Sequence, residues 1–222
     1  ISILNLSIDG QKGQNTSGTL NDGIHIEANT NDPGYTAPPN SWYRGACINN
    51  VEVYKCTGSG IYIGPGRQAS YIVYSRTTYN GGQGIHINSA NDTVLGERCG
   101  SGQNDKNSLL IGTCSAPMIM GANLWNSNYP SSYFALRIID CQHVQVNQSV
   151  FNDAVSIENT LGANSTWNAT FTNCSFEFYQ NSYTESGSPI SKVAWVRVLS
   201  YNSVTLDKCH FANIDGYATY PS

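Results

Sequence analysis

Apolar and polar residues alternate along this chain in short runs, each opened by a small residue and closed by a turn. Gly23-Ile24-His25-Ile26-Glu27, Gly60-Ile61-Tyr62-Ile63-Gly64 and Gly84-Ile85-His86-Ile87-Asn88 are the clearest, and related runs open at Ser108, Ala135, Ala154 and Trp195. Period-two alternation is the signature of a half-buried strand, with Ile on the inner side and His or Tyr on the outer. A second pattern places apolar or small residues at i, i+2, i+5 and often i+7. It starts at Ile1, Val51, Ile72, Val94, Val144, Ala169 and Val204, with a degenerate copy at Met118. From Val51 onward these starts are 21, 22, 24, 26, 25 and 35 residues apart. The two strand families alternate in fixed order, so one of each makes one coil. Short strands between Gly and Asn turns, repeating at about 24 residues, predict an all-β solenoid: a right-handed parallel β-helix of about eight coils.

Composition supports that picture. Only 12% of the 222 residues are charged, whereas the chain holds 25 Asn and 21 Gly, which disfavours long surface helices. At 40% hydrophobic and 11% aromatic it is too rich in core formers for disorder. No apolar run is long enough to insert into a membrane. The net charge of −4 offers no general attraction to nucleic acid. Ile1 falls inside an alternating run with no leader before it, so residues 1–222 are read as a single β-helix domain cut from a longer chain.

The predicted register stacks outward residues into columns. One reads His25, Tyr62, His86, Leu110, Arg137, Ser156, Arg197, and its neighbour reads Glu27, Gly64, Asn88, Gly112, Ile139, Glu158, Leu199. A His-Tyr-His ridge beside Glu27 supplies imidazole, carboxylate and an aromatic platform. A polar stack satisfied by its neighbours, or a contact with another subunit, is the bland alternative. In the second family the register predicts an interior column of Cys56, Cys99, Cys174 and Cys209, continued by Leu6, Thr77 and Ser149, which reads as packed thiols rather than disulfides. It also predicts a cationic stripe of Lys55, Arg76 and Arg98. Neither the cysteines nor the histidines have the spacing of a metal site, and no cofactor motif is present. Asn-x-Ser/Thr triplets arise from the Asn- and Ser-rich repeat itself.

The repeated V-x-V-x-x-C-x-F strand after G-I-x-I-x, with Asn at the bends, resembles the pectin-lyase-like right-handed β-helix superfamily, and within it phage tailspikes and capsule depolymerases. That resemblance implies a homotrimer located on a virion tail or secreted, acting on a bacterial capsular or O-antigen polysaccharide. Three stretches exceed the coil length, Asn29–Gly45, Asn123–Phe134 and Asn181–Lys192, and excursions of this kind commonly wall a binding groove. They carry Trp42, Tyr43 and Trp125, which join Tyr62, His86 and Arg137 as expected sugar contacts. Internal cleavage of the polymer by hydrolysis is the leading expectation, with Asp22, Glu27 and His25 as catalytic groups. Glu158 stands second, because Arg137 and Arg197 on flanking coils make it a plausible ion pair. Eliminating cleavage of a uronate polymer, with His25, Tyr62 or His86 as base, and a noncatalytic glycan-binding β-helix are the rivals.

Overall fold

The computed structural model describes residues 1–12, 21–27, 45–125, 133–161, 167–179, 183–185, 188–190, 196–200 and 202–214. Within them the chain winds as a right-handed parallel β-helix, eight coils long and three faces around. One face is a seven-stranded sheet of the Gly-Ile-x-Ile strands: Ile24–Ile26, Ile61–Ile63, Ile85–Asn88, Leu109–Gly112, Leu136–Ile139, Val155–Glu158 and Val196–Leu199. Each pairs in parallel with its neighbour in the predicted register. This sheet is called the histidine face below.

The other two faces belong to one fourteen-stranded sheet that turns a corner. Ser2–Asp9 and Cys47–Tyr54 run through that corner as single strands, whereas later coils break there into pairs such as Tyr71–Val73 with Arg76–Thr78, or Val144–Asn147 with Val150–Phe151. One residue per coil makes the turn, in the left-handed region: Asn5, Asn50, Tyr74, Arg98, Gly121, Gln148, Asn173 and Lys208, with φ between 50° and 63°. That conformation costs an ordinary L-residue roughly 1–2 kcal/mol, and Gly and Asn visit it most readily. Asn50 donates its side-chain amide to Asn5 at 2.8 Å, tying two coils together at the bend.

The residue after each bend points inward, giving the column Leu6, Val51, Ser75, Cys99, Ala122, Ser149, Cys174, Cys209. Cys56 and Thr77 do not belong to it, contrary to the sequence register. Cys56 lies five residues on, where its amide bonds Asn80 Oδ1 at 3.0 Å. The cationic stripe dissolves for the same reason. Arg76 pairs with Glu52 and Gly100, while Arg98 stacks on Tyr74 at the bend and Lys55 sits one corner further on. All seven cysteines are free thiols.

The interior is a stack of Ile, Val and Leu, with Ile48, Ile61, Ile63, Ile72, Ile85, Leu109 and Ile138 wholly buried. Toward the C-terminal coils Phe151, Phe171 and Phe176 take over, with ring centroids 5.2–6.1 Å apart. Some buried polar side chains bond nearby backbone, as Thr93 Oγ1 does to Ala90 O at 2.8 Å, and others form ladders between coils. Asn80 and Asn104 are fully buried, and Asn104 Oδ1 accepts both the amide and the side chain of Asn80, at 3.0 and 2.9 Å. Buried polar groups paired in this way do not carry the cost of an unsatisfied one. No helix of the described residues is long and apolar enough to cross a membrane.

Candidate functional site

The parallel register of the histidine face puts His25, Tyr62 and His86 on three successive coils. Coils about 4.8 Å apart are at the spacing where rings stack. His25 and Tyr62 lie 4.5 Å apart at an interplanar angle of 29°, and Tyr62 meets His86 edge-on at 5.0 Å and 75°. Gly64 makes room for this arrangement. A Cβ there would come within 2.6 Å of the Tyr62 ring and 2.9 Å of Glu27 Cβ.

Two carboxylates grip His25 from opposite ends. Asp22 Oδ2 lies 2.7 Å from Nδ1, and Glu27 Oε2 lies 3.4 Å from Nε2. The other oxygen of Asp22 accepts the amide of Ser59 at 2.6 Å, directly over Gly58, whose missing side chain leaves the space. Asp22 therefore holds one imidazole and one adjacent coil. Partial burial works against protonation of His25, but the hydrogen bonds and charges of Asp22 and Glu27 outweigh it and raise its pKa above the ordinary 6.5. His86 moves the other way. Burial lowers its pKa and Lys106 adds to that, against the opposing pull of Asp22. One ridge thus carries an imidazole inclined to hold a proton and another inclined to release it.

Further along the same face, Arg137 forms a bidentate pair with Glu158, Nε–Oε1 at 2.9 Å and Nη2–Oε2 at 2.8 Å. Arg197 reaches Oε1 from the other side at 2.8 Å, and Ser156 Oγ donates to the same oxygen at 2.7 Å. Burial alone would raise the carboxyl's pKa, but these partners pull it down to about 2. The flanking arginines stand where the coil count placed them. Glu158 is five strand steps from Glu27, so the two carboxylates form no local pair.

Asp22, His25, Glu27, Tyr62 and His86 come together, while Arg137 and Glu158 form a separate ion cluster on the same face. Trp125 sits elsewhere: its amide bonds Ser101 O at 2.9 Å on the adjoining face, its ring covers Gly102, and Arg76 lies 5.6 Å from it. Strand pairing thus continues through Asn123–Leu124 into Trp125, shortening the expected excursion. Trp42 and Tyr43 lie outside the described residues. Arg67, which sequence reasoning passed over, donates Nη2 to the Glu27 carbonyl at 3.1 Å and brings a cation to the end of the ridge. Among the described residues no three His, Cys, Asp or Glu side chains cluster as a metal site would require.

No family model matches the chain, and no curated protein matches it. Solved structures do. Tailspike protein 2 of bacteriophage CBA120, in its enzymatically active domain, matches 96% of this chain and 31% of its own at a TM-score of 0.67 and 14% identity. The periplasmic alginate epimerase AlgG matches 76% of this chain and 42% of its own at 0.58 and 13%. The A-module of a mannuronan C-5 epimerase from Azotobacter vinelandii matches 81% and 52% at 0.50 and 12%. The fold these structures share with the chain is the right-handed parallel β-helix. This β-helix spans between about a third and half of the chains it resembles. At these identities the likeness is one of fold, and what the ridge does must be argued from its own groups.

Proposed function

We propose that this β-helix acts on a polysaccharide by proton transfer at a uronate residue, cleaving the chain by elimination. The observation that carries the reading is the split between two imidazoles of one ridge, because groups pushed apart in pKa are suited to opposite proton-transfer roles. Neutral His86 takes the proton from the carbon beside the uronate carboxylate. The electrons form the ring double bond, the glycosidic C–O bond breaks, and His25, protonated between Asp22 and Glu27, gives its proton to the leaving oxygen. Tyr62 lies between them as a platform for the sugar, and Arg67 beside Glu27 offers positive charge for the carboxylate. Similarity to a phage tailspike and to alginate and mannuronan epimerases supports a polysaccharide ligand, and with it a place on a phage tail or outside the cytoplasm. Trimer assembly belongs to the tailspike side of the same proposal.

Hydrolysis is the second reading, favoured by one observation: Asp22 and Glu27 touch the same imidazole from its two ends. Their separation is therefore little more than the ring and two contacts, compatible with the roughly 6.5–9.5 Å of inverting glycosidases. Against it, both carboxylates are already engaged by the one imidazole between them, Asp22 at Nδ1 and Glu27 at Nε2. The two readings separate in one assay. Elimination yields reducing ends together with the ultraviolet absorbance of unsaturated uronates, and hydrolysis yields reducing ends alone. His25→Ala and His86→Ala are each expected to lower the rate by about 10²–10⁴-fold. Full activity in either variant would sink the ridge as the catalytic centre.

A further inference from the structure

The corner of the solenoid opposite the histidine face carries a groove that the ridge chemistry does not use. It is an open groove of about 410 Å³ lined by Asn5, Ser7, Asn50, Glu52, Tyr74 and Arg76, with Leu6 and Val51 completing it. Its polar groups come from three successive coils and face solvent. Tyr74 occupies the left-handed bend with φ 51°, where the two coils before it use Asn; Arg98, Gln148 and Lys208 also depart from Asn and Gly there, and Tyr74 is the aromatic one among the eight. A bulky aromatic side chain is disfavoured in that conformation, and strain of this kind concentrates at binding sites. It also leaves 46% of the tyrosine exposed, so core packing does not account for the residue. Arg98 on the next coil lies 5.8 Å from the ring centroid and holds the ring in place at the groove wall.

We propose that this corner groove is a second, noncatalytic glycan-binding site that takes a short pyranose segment. An exposed, fixed tyrosine ring offers a face for the apolar side of a sugar. Asn5, Asn50, Glu52 and Arg76 supply donors and acceptors of both kinds within the same groove, as a ring of hydroxyls requires. With the ridge on the opposite side of the core, one molecule engages a polymer at two places, and holding it at the corner raises the effective concentration of polymer at the ridge. The proposal shares with the catalytic reading only the class of ligand.

Tyr74→Asn is the informative substitution. Asn is the residue that Asn5 and Asn50 place at the same bend, so the variant is expected to fold with unchanged or raised Tm while losing the platform. Both histidines of the ridge are first replaced, His25→Ala with His86→Ala, to stop turnover. The protein is then run through gels cast with alginate, with pectate and with dextran. Retention in at least one gel that Tyr74→Asn weakens about tenfold, ~1.4 kcal/mol, supports the groove. Retention that the substitution leaves unchanged, or retention in none of the three gels, overturns it. Tyr74-dependent retention by a wild-type protein that turns over no polysaccharide overturns the catalytic reading and leaves the groove standing.

Discussion

Replacing Glu158 by Gln tests the electrostatic reasoning where its magnitude is largest. In the folded chain Glu158 is ionised between Arg137 and Arg197, with its carboxyl pKa lowered from 4.5 to about 2. At ~1.36 kcal/mol per pH unit that difference corresponds to about 3 kcal/mol favouring the ionised folded state. The arginine side chains are 31% and 44% exposed, so solvent screening reduces the expected value to about 2 kcal/mol. The sign follows from the lowered pKa: the contribution is fully present above the ordinary 4.5 and is lost as pH falls toward about 2. Glu158→Gln, which leaves two guanidiniums facing each other across a neutral amide, is expected to lower stability at pH 7 by that amount. For a chain of this size it lowers Tm by about 4–8 °C. Urea unfolding of both proteins at pH 7 and pH 3 should show the gap shrinking to less than half at the lower pH. A gap under about 0.5 kcal/mol at pH 7, the level of an ordinary surface substitution, or one equal at both pH values, would refute the reasoning.

The ridge makes a pH prediction of its own. Activity should rise as pH climbs through the lowered pKa of His86 and fall as it climbs through the raised pKa of His25, giving a plateau that brackets 6.5. Asp22→Asn removes a charge that raises both histidines, so both limbs of the rate profile should move to lower pH, and limbs that stay in place would break the link between Asp22 and the ridge. In the core, Phe151→Ala removes a wholly buried ring stacked 5.2 Å from Phe176 and should cost about 3–5 kcal/mol by urea unfolding. A loss below about 1 kcal/mol would mean that the phenylalanine stack is not the packed core of the later coils.

The histidine face was legible residue by residue because Gly-Ile-x-Ile keeps strict alternation within one strand, and a one-residue slip would bury His25 and expose Ile24. The second family was less readable. Its motif runs across a bend, and one left-handed residue there interrupts the period. Pairing Ile72 with Val51 therefore looked as good on paper as its true partner, Ile48. That slip moved Cys56 into the wrong column and assembled a cationic stripe that the fold does not contain. The ridge itself followed from alternation, but the grip of Asp22 on His25 did not. Asp22 precedes its strand, where no period fixes the direction of a side chain. The corner groove was hidden for a related reason. Tyr74 is unusual only once its φ is known, and its neighbours come from coils 24 and 45 residues apart.

In the proposed elimination His25 and His86 move protons at a uronate. This is tested most directly by incubating the protein and its His86→Ala variant with a panel of uronate-containing and neutral bacterial polysaccharides, following reducing ends and unsaturated-uronate absorbance together. Elimination at the ridge gives both signals from a uronate polymer, neither from a neutral one, and loss of both in the variant. Reducing ends without the absorbance, surviving in His86→Ala, would contradict it and return the chemistry to Asp22 and Glu27.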